Sequence, residues 1–349
     1  MVTIKDIAKE CGVSIATVSN VLNGKNKAGT ATVDRVLKVV EKYGYNQNFT
    51  AKGLRSKKTG IIGVVVEDIA QFTTAEIVEG LMRYLEEKGY TVMLQNLRMY
   101  SRWPDDWKNH DEDMRRLFKS TAKRFENMLT EGVIYVAAHY REMSGFTEGF
   151  IIPTVMAYAK DNNPEVSSII LDDEDAACRA VRYLVEKGHK NIGILAGVRD
   201  NMHTILRLRG AKRAAKEAGI NIKESDIIYG NWSKASGYEA CKYLMDGDYT
   251  ALFSMSDHMT GGVYEYMEEI GKRPGKDLSV ISFDNKYLAE FFVPGLTTMR
   301  LPLDEIGNKA AQKLVSKIEA ASNKEKYTDG IIKIPCDLIE RSSVEKIVK

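Results

Sequence analysis

The chain has 349 residues, 44% hydrophobic and 28% charged, too long for one small core and ordinary in composition for a globular protein. No apolar run reaches the ~18 residues of a membrane span, and Cys11, Cys178, Cys241 and Cys336 show no paired spacing that would suggest a disulfide framework or a cysteine-based metal site. The net charge of +2 conceals an asymmetry: residues 1–58 hold eleven Lys or Arg against four Asp or Glu, a net +7, which leaves −5 for the rest. A basic head on a mildly acidic body is expected to meet a polyanion.

Ile4, Ile7, Ala8 and Cys11 follow the i, i+3, i+4, i+7 pattern of one helical face, with Thr3 placed to cap it. "CGV" breaks the chain at Gly12, and Ser14 can cap a second helix, "SIATVSNVL". Val18, Val21 and Leu22 turn inward together, which leaves Ile15, Ala16, Thr17 and Asn20 facing out. A third stripe, Val33, Val36, Leu37 and Val40, completes a miniature core. Helix, Gly-containing turn and second helix make a helix-turn-helix, whose second helix enters the major groove. Ile15 and Ala16 suit the thymine methyl and Asn20 suits adenine, while the hydroxyls of Ser14, Thr17 and Ser19 suit phosphate oxygens and helix register. "NFTAKGLRS" (48–56) reads as a weaker helix, because Gly53 costs roughly 1 kcal/mol against alanine in its interior. Within it Leu54, between Lys52 and Arg55, has the arrangement of an apolar wedge for a minor-groove step.

"TIKDIAKECGVSIATVSNVLNGK", "AKGLRSKKTGIIGVVV" and "SVISFDN" resemble the LacI/GalR family of bacterial transcription regulators, almost from end to end. The resemblance implies base contacts from Ile15, Ala16 and Asn20, with Leu54 and Arg55 at the centre of a pseudo-palindromic operator held by a homodimer or a higher oligomer. It departs at Gln47, where the family usually has proline.

From residue 61 the pattern changes to strands alternating with helices. "IIGVVV" (61–66) is a continuous buried-strand run, and "YTVMLQNL", "GVIYVAA", "PTVMAYA", "NIGILAG", "DIIYG", "ALFSMS" and "LSVISFD" follow. The expected fold is therefore an all-α helix-turn-helix head on a two-lobed α/β body of doubly wound parallel sheets. The boundaries read as 1–46 for the head, 47–60 for a hinge or linker, and 61–349 for effector binding and dimerisation. "AKDNNPEVSS" (159–168) reads as a crossover, which gives one lobe at about 61–159 and 302–323 and the other at about 160–301 and 324–349. In such folds a ligand sits beyond the carboxyl ends of the strands, so the cleft between lobes is the expected site.

The resemblance implies a periplasmic-binding-protein-like body with a small effector between its lobes. Arg207 in "RLRG", Asp284 in "SFDN" and Trp232 in "GNWSKASGYEA" stand at effector-contacting positions, and Phe72, Thr73 and Phe253 complete the expected lining. An Arg, a carboxylate and an indole suit a sugar or sugar derivative. Other pocket positions differ, with Thr73 and Thr74 in place of an aromatic pair, Ala159 in place of an Asp and Ser256 in place of an Asn, so a different effector such as a purine or nucleoside stays open. "RMYSRWPDDWKNHD" (98–111) adds about a dozen residues to the family's loop; long loops in compact domains are often functional, and a lid over the effector or a surface insertion fits equally.

The five histidines show no metal-ligand spacing, and there is no nucleophile elbow or Gly-rich phosphate loop. No cofactor, metal or catalysis is expected. The N-terminal "MVTIKDIAKE" lacks the features of a signal peptide, so a cytoplasmic regulator, and of its kinds a repressor, is expected over a solute-binding protein or an α/β enzyme.

Overall fold

The computed structural model describes residues 2–22, 27–45, 58–103, 110–143, 147 and 152–347. The chain divides into two compact units, Met1–Thr59 and Gly60–Lys349. In the first, Ile4–Cys11 (α1), Ile15–Leu22 (α2) and Thr30–Lys42 (α3) enclose Ile7, Ala8, Cys11, Val18, Val21 and Val36. The Asp6 carboxylate accepts from the Thr3 amide at 2.8 Å and from its hydroxyl at 2.7 Å, which fastens the start of α1. Gly12 ends that helix in the left-handed region at φ 62°. The Ser14 hydroxyl accepts the Thr17 amide at 3.0 Å and so opens α2. Leu37, expected in the third stripe, is 48% exposed: Val36 fills the small core, and the next side chain points 100° away around the helix.

The second unit holds strands Ile61–Val66 (β1), Thr91–Asn96 (β2), Gly132–Met143 (β3), Thr154–Asp161 (β4), Ser167–Leu171 (β5), Ile192–Ala196 (β6), Ile227–Tyr229 (β7), Ala251–Ser254 (β8), Ser279–Asp284 (β9), Thr297–Arg300 (β10), Ile331–Ile334 (β11) and Asp337–Ile339 (β12). Its helices are Phe72–Glu87 (α4), Met99–Arg102 (α5), Asp111–Asn127 (α6), Asp173–Glu186 (α7), Met202–Glu217 (α8), Lys234–Met245 (α9), Asp257–Glu269 (α10) and Leu303–Asn323 (α11). One six-stranded sheet runs β2-β1-β3-β4-β5-β11, the other β7-β6-β8-β9-β10-β12. All neighbours are parallel except β10 and β12. The central strands are apolar on both sides, because helices cover both faces of each sheet.

The lobe boundaries differ from the expected ones. Val155 pairs with Ser167 and Ala157 with Ile169, so "AKDNNPEVSS" holds a turn inside the first lobe rather than a crossover. Asp161 and Asn163 shape that turn by accepting the Asn163 and Glu165 amides, each at 2.9 Å. Strand β11 also pairs with β5 in the first sheet. The chain changes lobes between Leu171 and Asp173, between Arg300 and Leu303, and between Ile334 and Asp337.

Helices α4 and α11 cover the first lobe with buried residues four apart, Ile77, Leu81 and Leu85 against Ile306, Ala310, Leu314 and Ile318. They approach so closely that a Cβ on Gly80 would lie 2.1 Å from the Asp304 carbonyl oxygen, and one on Gly307 would lie 1.9 Å from that of Ile77. Gly80→Ala is therefore expected to lower stability by about 1–3 kcal/mol through forced separation of the two helices. Urea denaturation of the variant checks it; an unchanged midpoint would mean that the helices part freely.

Candidate functional site

Helix α2 presents the face read from the sequence. Ile15 is 43% exposed, Ser14 and Ala16 are exposed, and Thr17, Ser19 and Asn20 are half-buried. The Ser14 hydroxyl lies 2.9 Å from that of Thr17, so these two brace the start of the helix. Leu54 and Arg55 lie outside the described residues.

In the second unit a cavity of about 300 Å³ opens between the lobes, at the carboxyl ends of the strands. The first lobe lines it with Gln71, Phe72 and Thr73 at the start of α4, His139 on β3 and Tyr158 on β4. The second contributes Asn201, His203 and Arg207 around α8, then Trp232, Ser256, His258, Asp284 and Lys286, with Leu301 at the second crossing. Two contacts span the cleft directly. The Lys286 ammonium sits 3.4 Å from the centroid of the Phe72 ring, and the Tyr140 amide donates to His203 Nε2 at 3.1 Å.

Asp173, 1% exposed, is the electrostatic anchor of the wall. Arg207 Nε donates to its Oδ1 at 2.8 Å, and His203 Nδ1 lies 2.9 Å from its Oδ2. Because His203 Nε2 accepts the Tyr140 amide, its proton belongs on Nδ1, facing the carboxylate. Burial alone would raise the Asp173 carboxyl, but His203 and Arg207 outweigh it and hold it below the usual carboxylate range. Arg207 also donates to the Met255 carbonyl at 2.7 Å and stacks 3.7 Å from the Phe283 ring centroid.

Asp284 ends β9 with φ 121°, an uncommon conformation for a residue with a side chain. Burial pushes its carboxyl up against the pull of Arg207 and Lys286. Asp257, at the start of α10, accepts from the Lys286 amide at 3.1 Å and the Thr298 hydroxyl at 2.9 Å. Burial, then the neighbouring Asp284 carboxylate, push it up to about 7. Ser256 caps α10 by accepting the His258 amide at 3.2 Å. Among the described residues no group of three His, Cys, Asp or Glu is placed to hold a metal ion, and no helix is long and apolar enough to cross a membrane.

Residues 3–48 match the bacterial regulatory proteins of the lacI family, and residues 181–344 match the periplasmic binding protein-like domain. Over 347 residues, 99% of each chain, the sequence is 31% identical to catabolite control protein A of Priestia megaterium. The chain belongs to the LacI family of bacterial regulators. It is also 31% identical over 349 residues to the HTH-type transcriptional repressor PurR of Salmonella newport (strain SL254), covering 99% of this chain and 97% of that protein. The fold matches that of the lac repressor dimer bound to operator and the anti-inducer ONPF, with a TM-score of 0.77 at 23% identity and 99% of both chains covered. As a LacI-family member it is a DNA-binding transcription regulator whose body is an effector-binding domain.

In this LacI-family cavity Phe72, Thr73, Arg207, Trp232 and Asp284 meet as the sequence reading places them. Phe253 does not. It is fully buried in β8, 6.4 Å from Phe283, because strand alternation turns its ring into the core and only the end of β8 opens on the cleft. The reading missed His139, Tyr158, Asn201, His203, His258 and Lys286, and the buried Asp173 behind them. His203 and Arg207, four apart, share one helix face and were the one pair that spacing could have joined. The stretch 98–111 supplies no residue to the lining among those described; Trp103 stacks on His110 with centroids 4.8 Å apart, and Trp107 lies outside the described residues.

Proposed function

We propose that this protein is a cytoplasmic, non-enzymatic repressor that binds a pseudo-palindromic operator as a homodimer and responds to a small, uncharged, polyhydroxylated effector of the carbohydrate class. Helix α2 reads the major groove, with Ile15 and Ala16 on thymine methyls, Asn20 on adenine, and Ser14, Thr17 and Ser19 fixing register on the phosphates. Leu54 and Arg55 take the centre of the site. Two symmetric heads then read half-sites about one helical turn apart.

The observation that carries the effector class is the cavity's chemistry. The buried Arg207 cation is already matched by the buried Asp173 anion, so the wall offers hydrogen-bonding capacity without a large unmatched charge. Asp284 faces the same space as an acceptor for hydroxyl protons, and the Trp232 indole offers an apolar plane for the CH face of a sugar ring. A purine or nucleoside is the second reading, supported by the similarity to PurR and by two aromatic rings, Phe72 and Trp232, in one cavity.

Thermal shift with cellobiose, D-glucose, D-ribose and hypoxanthine tests the effector class. A probe at a hundred times its Kd stabilises the native state by about 2.7 kcal/mol. Asp284→Asn should abolish the shift and leave binding to operator DNA unchanged; a normal shift in the variant would remove Asp284 from the site.

A further inference from the structure

We infer that His139 is a hydrogen-bonding contact for the effector, and that Tyr100, supplied by the 98–111 stretch, is the positioning residue that holds its ring. The inference rests on the cavity between the lobes being the effector site.

Strands β3 and β4 pair in register as far as Val136 and resume, shifted, at Arg141. His139 therefore sits on an irregularity of the kind that re-aims side chains at functional sites. Amides that leave a ladder inside a protein need other partners, and here buried side chains supply them on both sides of His139. The Ala138 amide donates to Glu67 Oε2 at 2.9 Å, and the Tyr140 amide donates to His203 Nε2 at 3.1 Å. The Ala138 carbonyl accepts the Thr73 hydroxyl at 2.6 Å. The backbone that carries the imidazole is thus pinned from both lobes.

The ring itself is left open. Three histidines line the cavity. His203 uses both nitrogens within the protein, and His258 Nδ1 lies 3.0 Å from the Trp232 carbonyl. His139 forms no hydrogen bond through either nitrogen among the described residues. His139 is half-buried, with its ring on the cavity, so a ligand that displaces water there has to supply the hydrogen-bond partner the protein does not. Burial, then His203, Arg141 and Lys286 nearby, push its basicity down to about 3, so the ring is neutral at physiological pH and presents one N–H and one lone pair. A hydroxyl, which both gives and takes a proton, matches that pair; a carboxylate or phosphate could use only the N–H.

Tyr100 stands edge-on to this ring, with centroids 5.7 Å apart and planes at 81°. It belongs to α5, the short helix that opens the 98–111 stretch, where the Met99 amide donates to the Glu67 carbonyl at 3.0 Å. Glu67 is completely buried and also accepts from Tyr135 at 2.5 Å and Arg141 at 3.0 Å. One residue therefore anchors both the backbone before His139 and the helix that carries Tyr100. Among its described residues, the helix Met99–Arg102 packs behind the cavity wall.

The test titrates the full-length protein with cellobiose, D-glucose, D-ribose and hypoxanthine, following melting temperature and operator affinity. His139→Ala should weaken the probe that stabilises the parent roughly tenfold, the scale of one lost hydrogen bond to a buried partner, with operator affinity unaltered. Tyr100→Ala should weaken the same probe several-fold and alter the ranking among probes, while Tyr100→Phe, which keeps the ring edge, restores the parental ranking. Equal probe affinity in the parent and His139→Ala overturns the contact while the effector reading stands. An unchanged ranking in Tyr100→Ala overturns the positioning role. If no probe stabilises the parent, the effector reading falls and this inference with it.

Discussion

Asp173→Ala should destabilise the 60–349 unit by about 3–5 kcal/mol, the range found when one member of a buried ion pair is removed. Arg207 is 3% exposed and cannot turn to water without dismantling the wall, so its charge would be left with the Met255 carbonyl, the Phe283 ring face and the attraction of the Asp284 carboxylate. His203 would lose the acceptor for its Nδ1 proton, and with it the tautomer that takes the Tyr140 amide across the cleft. Asp173 is also the first residue of α7, where a negative charge stabilises the exposed N–H groups of the helix start. Guanidinium denaturation of Asp173→Ala and of the double variant Asp173→Ala/Arg207→Met measures the effect. The double variant should recover part of the loss, because the stranded cation is gone. A single-variant loss below about 1 kcal/mol would mean that the pair is hydrated like one at a surface.

Operator affinity should fall by about 10³-fold or more between 50 and 200 mM salt, as expected for six to ten neutralised phosphates. The +7 charge of residues 1–58 is carried twice in a dimer, enough lysine and arginine for that number of contacts. The exposed Ile15 and Ala16 add little to this slope, since methyl contacts release no counterions. Asn20→Ala should therefore lower affinity by about 1–3 kcal/mol at one position in each half-site and leave the salt slope alone. Fluorescence anisotropy with labelled duplexes at several salt concentrations reads both quantities. A flat salt dependence would leave the basic head without a polyanionic partner.

The head was legible almost residue by residue, because three short amphipathic helices must all turn their apolar stripes to one point. Leu37 was misplaced only because a core this small is full once Val36 has entered it. Eight strands of the body were equally plain, since runs such as "IIGVVV" have no other stable place, but β5, β10, β11 and β12, each three to five residues long, went unread. Which sheet a strand joins was not legible. "SSIIL" and "IIKI" carry nothing in their own residues that assigns them to the first lobe, and the polar turn before β5 has the composition of a linker. The cavity was half legible. Arg207, Asp284 and Trp232 were found through motifs, but Asp173, 34 positions before its arginine, reads in sequence as one more acid at a helix start. His139 depends on a strand irregularity that no pattern of hydrophobicity announces.

The route of the chain bears on how the protein is made. The first lobe begins at residue 61, yet its covering helix α11 spans Leu303–Asn323 and its last edge strand Ile331–Ile334. A ribosome that has finished the first-lobe strands up to Leu171 has still to deliver 303–334 before that sheet is covered and edged, whereas the second lobe is nearly whole by Arg300. Maturation thus waits for the final stretch of translation, and an mRNA truncated before α11 would yield a chain whose apolar sheet face solicits chaperones or proteases.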